Sequence, residues 1–147
     1  IYIASYRNIS AVVQELQQQP EDIVLFCSGW KDQVNLEDTL FAGEIIYQVS
    51  GIGLRLPGSV GRESETQNPE PVTRNPKPDT RLNDSSWLAL KLYQEVRGEE
   101  GTFLENASHV QRFNSLHIES DLEVCLKRDT SRLILKLRND KIVKSDN

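Results

Sequence analysis

A short apolar run, a glycine-bearing loop and a long helix together constrain the fold of this chain more than any other feature. Residues 22–27 form an apolar run without a helical period, which is typical of a buried strand. From Leu36 to about Ser50 the apolar residues recur at helical spacing, on two adjacent stripes. In open α/β sheets, ligands bind outside the carboxyl ends of the strands, so residues 28–35 are predicted to line a ligand crevice.

The first half of the chain continues this alternation. Residues 1–4 are predicted to form a strand, and residues 9–19 a helix that Asn8 caps and Pro20 stops. With the run at 22–27 this makes a β-α-β unit, whose strands are most simply parallel with a right-handed crossover.

The second half is predicted to add helices and a closing hairpin. An Asp84 cap introduces a helix with core residues Trp87, Leu88, Leu92 and Val96, ending at Gly98. Residues 103–116 indicate one or two helices, and 121–127 a short helix. The runs 133–137 and 142–143 flank an Asn-Asp turn, which favours a hairpin. The predicted fold class is α/β: a three-layer sandwich with a central, mostly parallel or mixed sheet that closes on this hairpin.

The length of 147 residues fits a single α/β domain over 1–147. Within it, residues 51–83 are rich in proline, glycine and polar residues and contain no aromatic residue, which predicts a flexible insertion. A tolerated insertion, a functional lid and a docking segment for a protein partner are the three interpretations.

Charge and hydropathy narrow the class of partner. The net charge is −5 and no Lys/Arg cluster occurs, which argues against nucleic acid. No apolar run approaches the roughly 20 residues of a membrane helix, and no signal-like segment opens the chain, so a cytoplasmic protein with small-molecule partners is predicted. The chain contains no methionine and opens on an apparent strand, which indicates the second part of a longer protein. Cys27 and Cys125 lie in apolar runs without metal-type spacing and are predicted to be reduced core residues.

Two adjacent carboxylates stand where the long helix begins. Glu37 and Asp38 suit Mg²⁺, which prefers hard carboxylate oxygens and is usually shared with a substrate phosphate. The alternative is structural, because Asn35 to Asp38 has the spacing of a capping box and the helix dipole favours acidic first-turn residues. Adjacent helical side chains also point about a quarter-turn apart, so the two carboxylates are not expected to grip one ion as a pair.

Other polar residues are weaker candidates. Ser28, Gly29 and Lys31 can offer backbone N–H groups and a cation to a phosphate. His109 can act as a general acid or instead lie on the surface or cap a helix, and Arg112 shares its face if the segment is helical. The remaining candidates are interpreted as structural. Trp30 and Thr39 are taken as packing residues, His117 as a surface residue, and Asp121 and Asp129 as cap or turn residues.

The order of these residues resembles a known family. The stretch Val24-Leu25-Phe26-Cys27-Ser28-Gly29-Trp30-Lys31, followed by Leu36-Glu37-Asp38-Thr39-Leu40-Phe41-Ala42-Gly43, is similar to the signature of the 2-phosphosulfolactate phosphatases. The later positions Ser108, His109, Arg112, Leu116, Asp121, Cys125 and Asp129 resemble the carboxy-terminal pattern of that family. Val110 stands where the family usually has a glycine, and the preceding half of the family pattern is absent from this chain.

The resemblance implies a Mg²⁺-dependent phosphatase that converts 2-phosphosulfolactate to sulfolactate and phosphate by attack of water. It assigns Glu37 as the metal ligand, His109 and Asp38 as catalytic residues, with a capping role open for Asp38, and Ser28, Gly29, Lys31 and Arg112 as substrate-binding residues. Its partners are a small phosphorylated hydroxy acid and either the missing amino-terminal half or a second copy. The alternative is a diverged, non-catalytic module that binds a small anion or a partner chain.

Overall fold

The computed structural model describes residues 1–52, 80–116 and 120–145. Most of the predicted insertion at 51–83, and His117, lie outside these residues. The strands are β1 (Tyr2–Ile3), β2 (Leu135–Arg138) and β3 (Lys141–Lys144). A 3₁₀ turn at Tyr6–Asn8 leads into the first of the helices that the described residues form, which are α1 (Ile9–Gln18), α2 (Leu36–Ser50), α3 (Asp84–Val96), α4 (Glu100–Leu104), α5 (Ser108–Leu116) and α6 (Ser120–Leu126). Among the described residues, none of these helices has the length and hydropathy needed to cross a bilayer.

The described sheet has three strands in the order β1-β2-β3, and both pairings are antiparallel. Tyr2 lies opposite Lys136, and Leu135 lies opposite Lys144. Asn139 and Asp140 both adopt positive φ, as a two-residue hairpin turn requires. The predicted first strand and closing hairpin are therefore confirmed, in a fold that mixes helices and strands.

The predicted strand at 22–27 is absent, and with it the predicted parallel β-α-β unit. Residues 22–27 belong to no strand, and within the described residues their main chain makes no ladder with a neighbour. A β-strand needs a second strand to satisfy its N–H and C=O groups, and the described sheet lies elsewhere. The apolar pattern is that of a strand, but the pattern alone does not show whether another strand pairs with these residues.

Helices α2 and α3 form the centre of the main core. Gly43 lies so close to α3 that a Cβ atom at this position would stand 2.1 Å from the main-chain oxygen of Ala89. Leu40, Leu90 and Leu104 are completely buried beside this contact. Glycine is required at this crossing because a residue without a Cβ atom lets the two backbones approach this closely. Helix α2 has the bounds that were predicted for it.

Helix α1 begins differently from the prediction. The side chain of Asn8 makes no capping bond to α1; its Nδ2 donates to the main-chain oxygens of Ile3 and Leu133, at 3.2 and 3.0 Å. The carboxylate of Asp129 accepts instead from the Ser10 N–H at 2.9 Å and the Ser10 hydroxyl at 2.7 Å. A residue far along the chain thus satisfies the first turn of α1, which local spacing does not reveal.

Three further predictions about burial and capping are wrong. Helix α3 is capped by Asn83, which accepts from the Ser86 N–H, and not by Asp84. Trp87 and Leu88 are exposed, because α3 turns Ala89, Leu90 and Tyr93 toward the core. Cys27 and Cys125 are free, as predicted, but both are exposed.

Candidate functional site

The loop before α2 is built around a tight turn. Gly29 has a φ of 66°, and a Cβ atom there would stand 2.5 Å from the main-chain oxygen of Gln33. Trp30 and Gln33 exchange two backbone hydrogen bonds of 3.0 Å across Lys31 and Asp32, which both have positive φ. This geometry fixes the position of Trp30 at the mouth of the loop.

Asp38 ties this loop to the first turn of α2. Its Oδ2 accepts from the Gly29 N–H at 2.9 Å and lies 3.4 Å from the Ser28 hydroxyl. The side chain of Asn35 makes no capping hydrogen bond, while its main-chain oxygen accepts from the N–H and hydroxyl of Thr39. Asp38 therefore does not form the predicted capping box with Asn35, because its carboxylate binds the preceding loop instead.

Glu37 points in a different direction, toward α5. Its Oε1 lies 2.5 Å from Nδ1 of His109, and the two side chains are each 27% exposed. The second oxygen, Oε2, is buried and has no hydrogen-bond partner among the described residues. An ionised carboxylate only accepts hydrogen bonds, so beside an ionised Glu37 the donor of this bond is Nδ1.

Trp30 lies between two of the predicted site residues. Its ring stacks on the His109 imidazole with centroids 5.8 Å apart and an interplanar angle of 24°. The Arg112 guanidinium lies 4.3 Å from the Trp30 ring centroid. Glu37, His109, Trp30 and Arg112 thus form one continuous row, which we call the Trp30 row, and it places the Arg112 guanidinium beside the loop.

The structure brings most of the predicted site residues together. Glu37 and His109 touch, Asp38 holds Ser28 and Gly29, and Arg112 joins through Trp30. Lys31 stands exposed at the tip of the turn. Sequence reasoning treated Trp30 as a packing residue and missed its place in the row; an aromatic residue in a glycine loop, together with the His109/Arg112 pair, was the available signal.

Cys27 is not an activated nucleophile. Its Sγ lies 3.5 Å from the main-chain oxygen of Asp38. Desolvation, followed by the charge of Asp38, raises the pKa of this thiol, so the thiol is protonated at neutral pH.

An ion network with two buried carboxylates lies farther along α2 and was not anticipated. Arg128 donates to both oxygens of Glu44, at 3.2 and 2.9 Å, and to Glu100 at 3.1 Å. The Glu44 side chain is 3% exposed. Burial opposes the charge of Arg128, but the hydrogen bond and charge of Glu44, with Glu100, raise the guanidinium pKa overall. The network joins α2, α4 and the segment after α6 and serves to hold them together.

The residues at the start of α2 suit a hard cation. Within the described residues, no group of three or more His, Cys, Asp and Glu side chains is arranged as a complete metal cage. Mg²⁺ needs no such cage, because waters and a substrate phosphate usually complete its coordination beside one or two carboxylates. The unpartnered Oε2 of Glu37 is the acceptor that such an ion, or a proton donor, would satisfy.

Comparison with known proteins points to one family. The chain matches the sequence model of the family described as 2-phosphosulpholactate phosphatase over residues 1–140. A probable 2-phosphosulfolactate phosphatase from Symbiobacterium thermophilum is 29% identical over 134 residues, which cover 91% of this chain and 47% of the relative. A protein of the same description from Trichormus variabilis is 31% identical over 130 residues, 88% of this chain and 45% of the relative.

A more distant relative extends the same match. The probable 2-phosphosulfolactate phosphatase of Pseudothermotoga lettingae is 21% identical over 145 residues, covering 98% of this chain and 51% of that protein. The chain therefore spans about half the length of the curated relatives it matches.

Proposed function

Because this chain belongs to the 2-phosphosulfolactate phosphatase family, we propose that it carries the Mg²⁺-dependent site of a small-phosphomonoester hydrolase, with 2-phosphosulfolactate as substrate and sulfolactate and phosphate as products. The site lies where α2 begins, between the loop at 28–35 and α5. The other half of the family's length contributes to the complete enzyme.

The pairing of Glu37 with His109 is the observation that supports this proposal most strongly. These residues are 72 positions apart in the sequence, yet their side chains meet beside a glycine loop that Asp38 holds. One oxygen of the Glu37 carboxylate contacts the histidine, and the other has no hydrogen-bond partner among the described residues. The same side chain can therefore bind a cation and orient a residue that transfers a proton.

Glu37 would bind the ion through Oε2. Asp38 would hold the loop in place and would contact the same ion through a water molecule. Bound Mg²⁺ supplies positive charge that stabilises the transferring phosphoryl group. Glu37 also orients the His109 ring through Nδ1, so that its proton is delivered from Nε2.

Water and His109 account for the bonds and protons that the hydrolysis exchanges. Water attacks phosphorus, the bond between phosphorus and the ester oxygen breaks, and the leaving alkoxide takes a proton from His109. The proton lost by the water restores the imidazolium through phosphate or solvent. Arg112 is the cationic side chain for the sulfonate or carboxylate end of the substrate and Lys31 the one for its phosphate, and the Trp30 ring lies against the Arg112 guanidinium.

Phosphate release with and without Mg²⁺ tests the proposal. The assay compares phosphosulfolactate with phospholactate, using this chain alone and a chimera in which it replaces the matched region of the Symbiobacterium relative. Glu37→Gln is expected to lower kcat/KM about 100-fold or more, because the ion loses a charged ligand. Glu123→Gln, on the exposed face of α6, is the matched control and should leave the rate unchanged.

Two results would count against the proposal. One is phosphate release that is equally fast with and without Mg²⁺, or equally fast in Glu37→Gln. The other is no release from the folded chimera, while the parent relative is active under the same conditions; that result would favour the non-catalytic binding module.

A further inference from the structure

An extended segment with an unpaired main chain lies along one side of the molecule. Among the described residues, the N–H and C=O groups of residues 22–26 take part in no hydrogen bond. Such a row of free donors and acceptors is the template to which another strand adds.

The side chains of this segment alternate as those of a strand do. Ile23 and Leu25 pack against the cluster formed by α1 and α2. Val24 and Phe26 point the other way and are 87% and 88% exposed. Apolar residues on both faces are typical of a strand that is covered on both sides, and the described residues cover only one side of this segment.

An apolar cleft adjoins the segment. It has a volume of about 730 Å³ and is lined by residues of β1, α1 and α2 together with the segment itself. Ile1 is 85% exposed and is part of this lining. Contiguous apolar surface of this kind, next to a free strand edge, marks an interaction site.

The length of the relatives identifies the occupant. This chain matches only about half of each, so an equal length of family sequence lies outside the matched region. We propose that residues 22–26 are a docking edge for a β-strand from that unmatched half, whose apolar surface also covers Val24 and Phe26. Docking would convert the segment into the buried strand that its sequence indicates, and would fill the cleft.

A binding experiment tests this directly and does not depend on catalysis. The unmatched halves of the Symbiobacterium, Trichormus and Pseudothermotoga relatives are produced as separate polypeptides and titrated against this chain by calorimetry and sedimentation. A one-to-one complex with at least one half is expected. Phe26→Lys should weaken it roughly tenfold or more, the loss typical of a buried apolar anchor. Phe26 is exposed in the free chain, so this variant should fold normally.

Two internal controls sharpen the result. Ile142→Lys changes an equally apolar, 62% exposed residue on β3, at the far edge of the sheet from β1, and should leave binding unchanged. Both cysteines are exposed in the free chain, so the complex should protect Cys27 from maleimide while Cys125 reacts as before. Amide hydrogen exchange at residues 23–26 should slow in the complex.

The proposal is overturned if none of the three soluble halves binds, or if binding is indifferent to Phe26→Lys. It is also overturned if this chain instead forms a homodimer that Phe26→Lys abolishes, because the occupant would then be a second copy.

Discussion

Adjacent carboxylates at the start of α2 show how single residues divide their roles. Glu37 and Asp38 point about a quarter-turn apart, so one reaches His109 on α5 while the other turns back to the Gly29 N–H. The residue types, and the chemistry that carboxylates at a helix start can perform, were readable from the sequence. The partner of Glu37 was not, because spacing on one helix says nothing about a side chain 72 residues away.

Gly29 supports a prediction at the same scale. Gly29→Ala is expected to lower the free energy of unfolding by about 2 kcal/mol, since the new residue must hold a positive φ and its Cβ meets the main-chain oxygen of Gln33. Gly98→Ala is the matched control: its φ is also positive, but nothing lies within 4 Å, so about 1 kcal/mol is expected. Urea unfolding measures both, and equal losses would show that the Gln33 contact is irrelevant.

At the scale of elements, the closest packing occurs where α2 crosses α3. The positions Ala42 and Gly43 belong to the stretch that resembles the family signature, yet both are buried at the core rather than in the site. Part of that signature thus serves packing, which a motif alone does not distinguish from chemistry. Helix α2 was predicted well because its long apolar stripe and its Gly51 end are local signals.

A pair of glycine substitutions tests this crossing. Gly43→Ala should destabilise the protein by about 3 kcal/mol, because the backbones of α2 and α3 must separate to admit the methyl group. Gly101→Ala, in α4, meets its nearest atom only at 3.8 Å and should be neutral or stabilising by up to about 1 kcal/mol. Thermal and urea unfolding compare the two; a Gly43→Ala variant as stable as the parent would contradict the close approach.

The predictions about elements that were wrong depended on strand pairing or on a cap from a residue distant in the sequence. Residues 22–27 carry the pattern of a strand, but the described residues give them no neighbour. The α1 terminus is satisfied by Asp129, which the sequence analysis assigned to a turn or cap without its partner. The hairpin, by contrast, needs only its own turn residues and was predicted correctly.

At the scale of the whole molecule, Arg128 and the two buried carboxylates that it pairs with join segments that are distant in the sequence. Arg128→Ala leaves the buried carboxylates of Glu44 and Glu100 without their cation and should cost about 3 kcal/mol in the free energy of unfolding. The neighbouring Lys127 pairs with Glu123 on the exposed side of α6, so Lys127→Ala should change stability by no more than about 0.5 kcal/mol. Similar losses in the two variants, measured by urea unfolding, would mean that the network adds nothing beyond a surface pair.

The cleft beside residues 22–26 also belongs to this scale. The sequence predicted a three-layer sandwich with a mostly parallel or mixed sheet, whereas the described sheet is small and antiparallel. The three-layer arrangement stays a prediction, and docking of a strand and an apolar cover at this edge is what would complete it. The sequence pattern of a strand buried on both faces therefore indicates a surface that the described residues leave exposed.

The central claim is that Glu37 and His109 act as one unit in phosphate-ester hydrolysis, and a double-mutant cycle tests it most directly. Phosphate release from 2-phosphosulfolactate is measured for the parent chimera, Glu37→Gln, His109→Gln and the double variant, with folding checked by circular dichroism. The pairing predicts that each single change lowers kcat/KM about 100-fold or more and that the double variant is scarcely slower than the slower single variant. Losses that simply multiply would show that the two side chains act independently, and would contradict this account of the site.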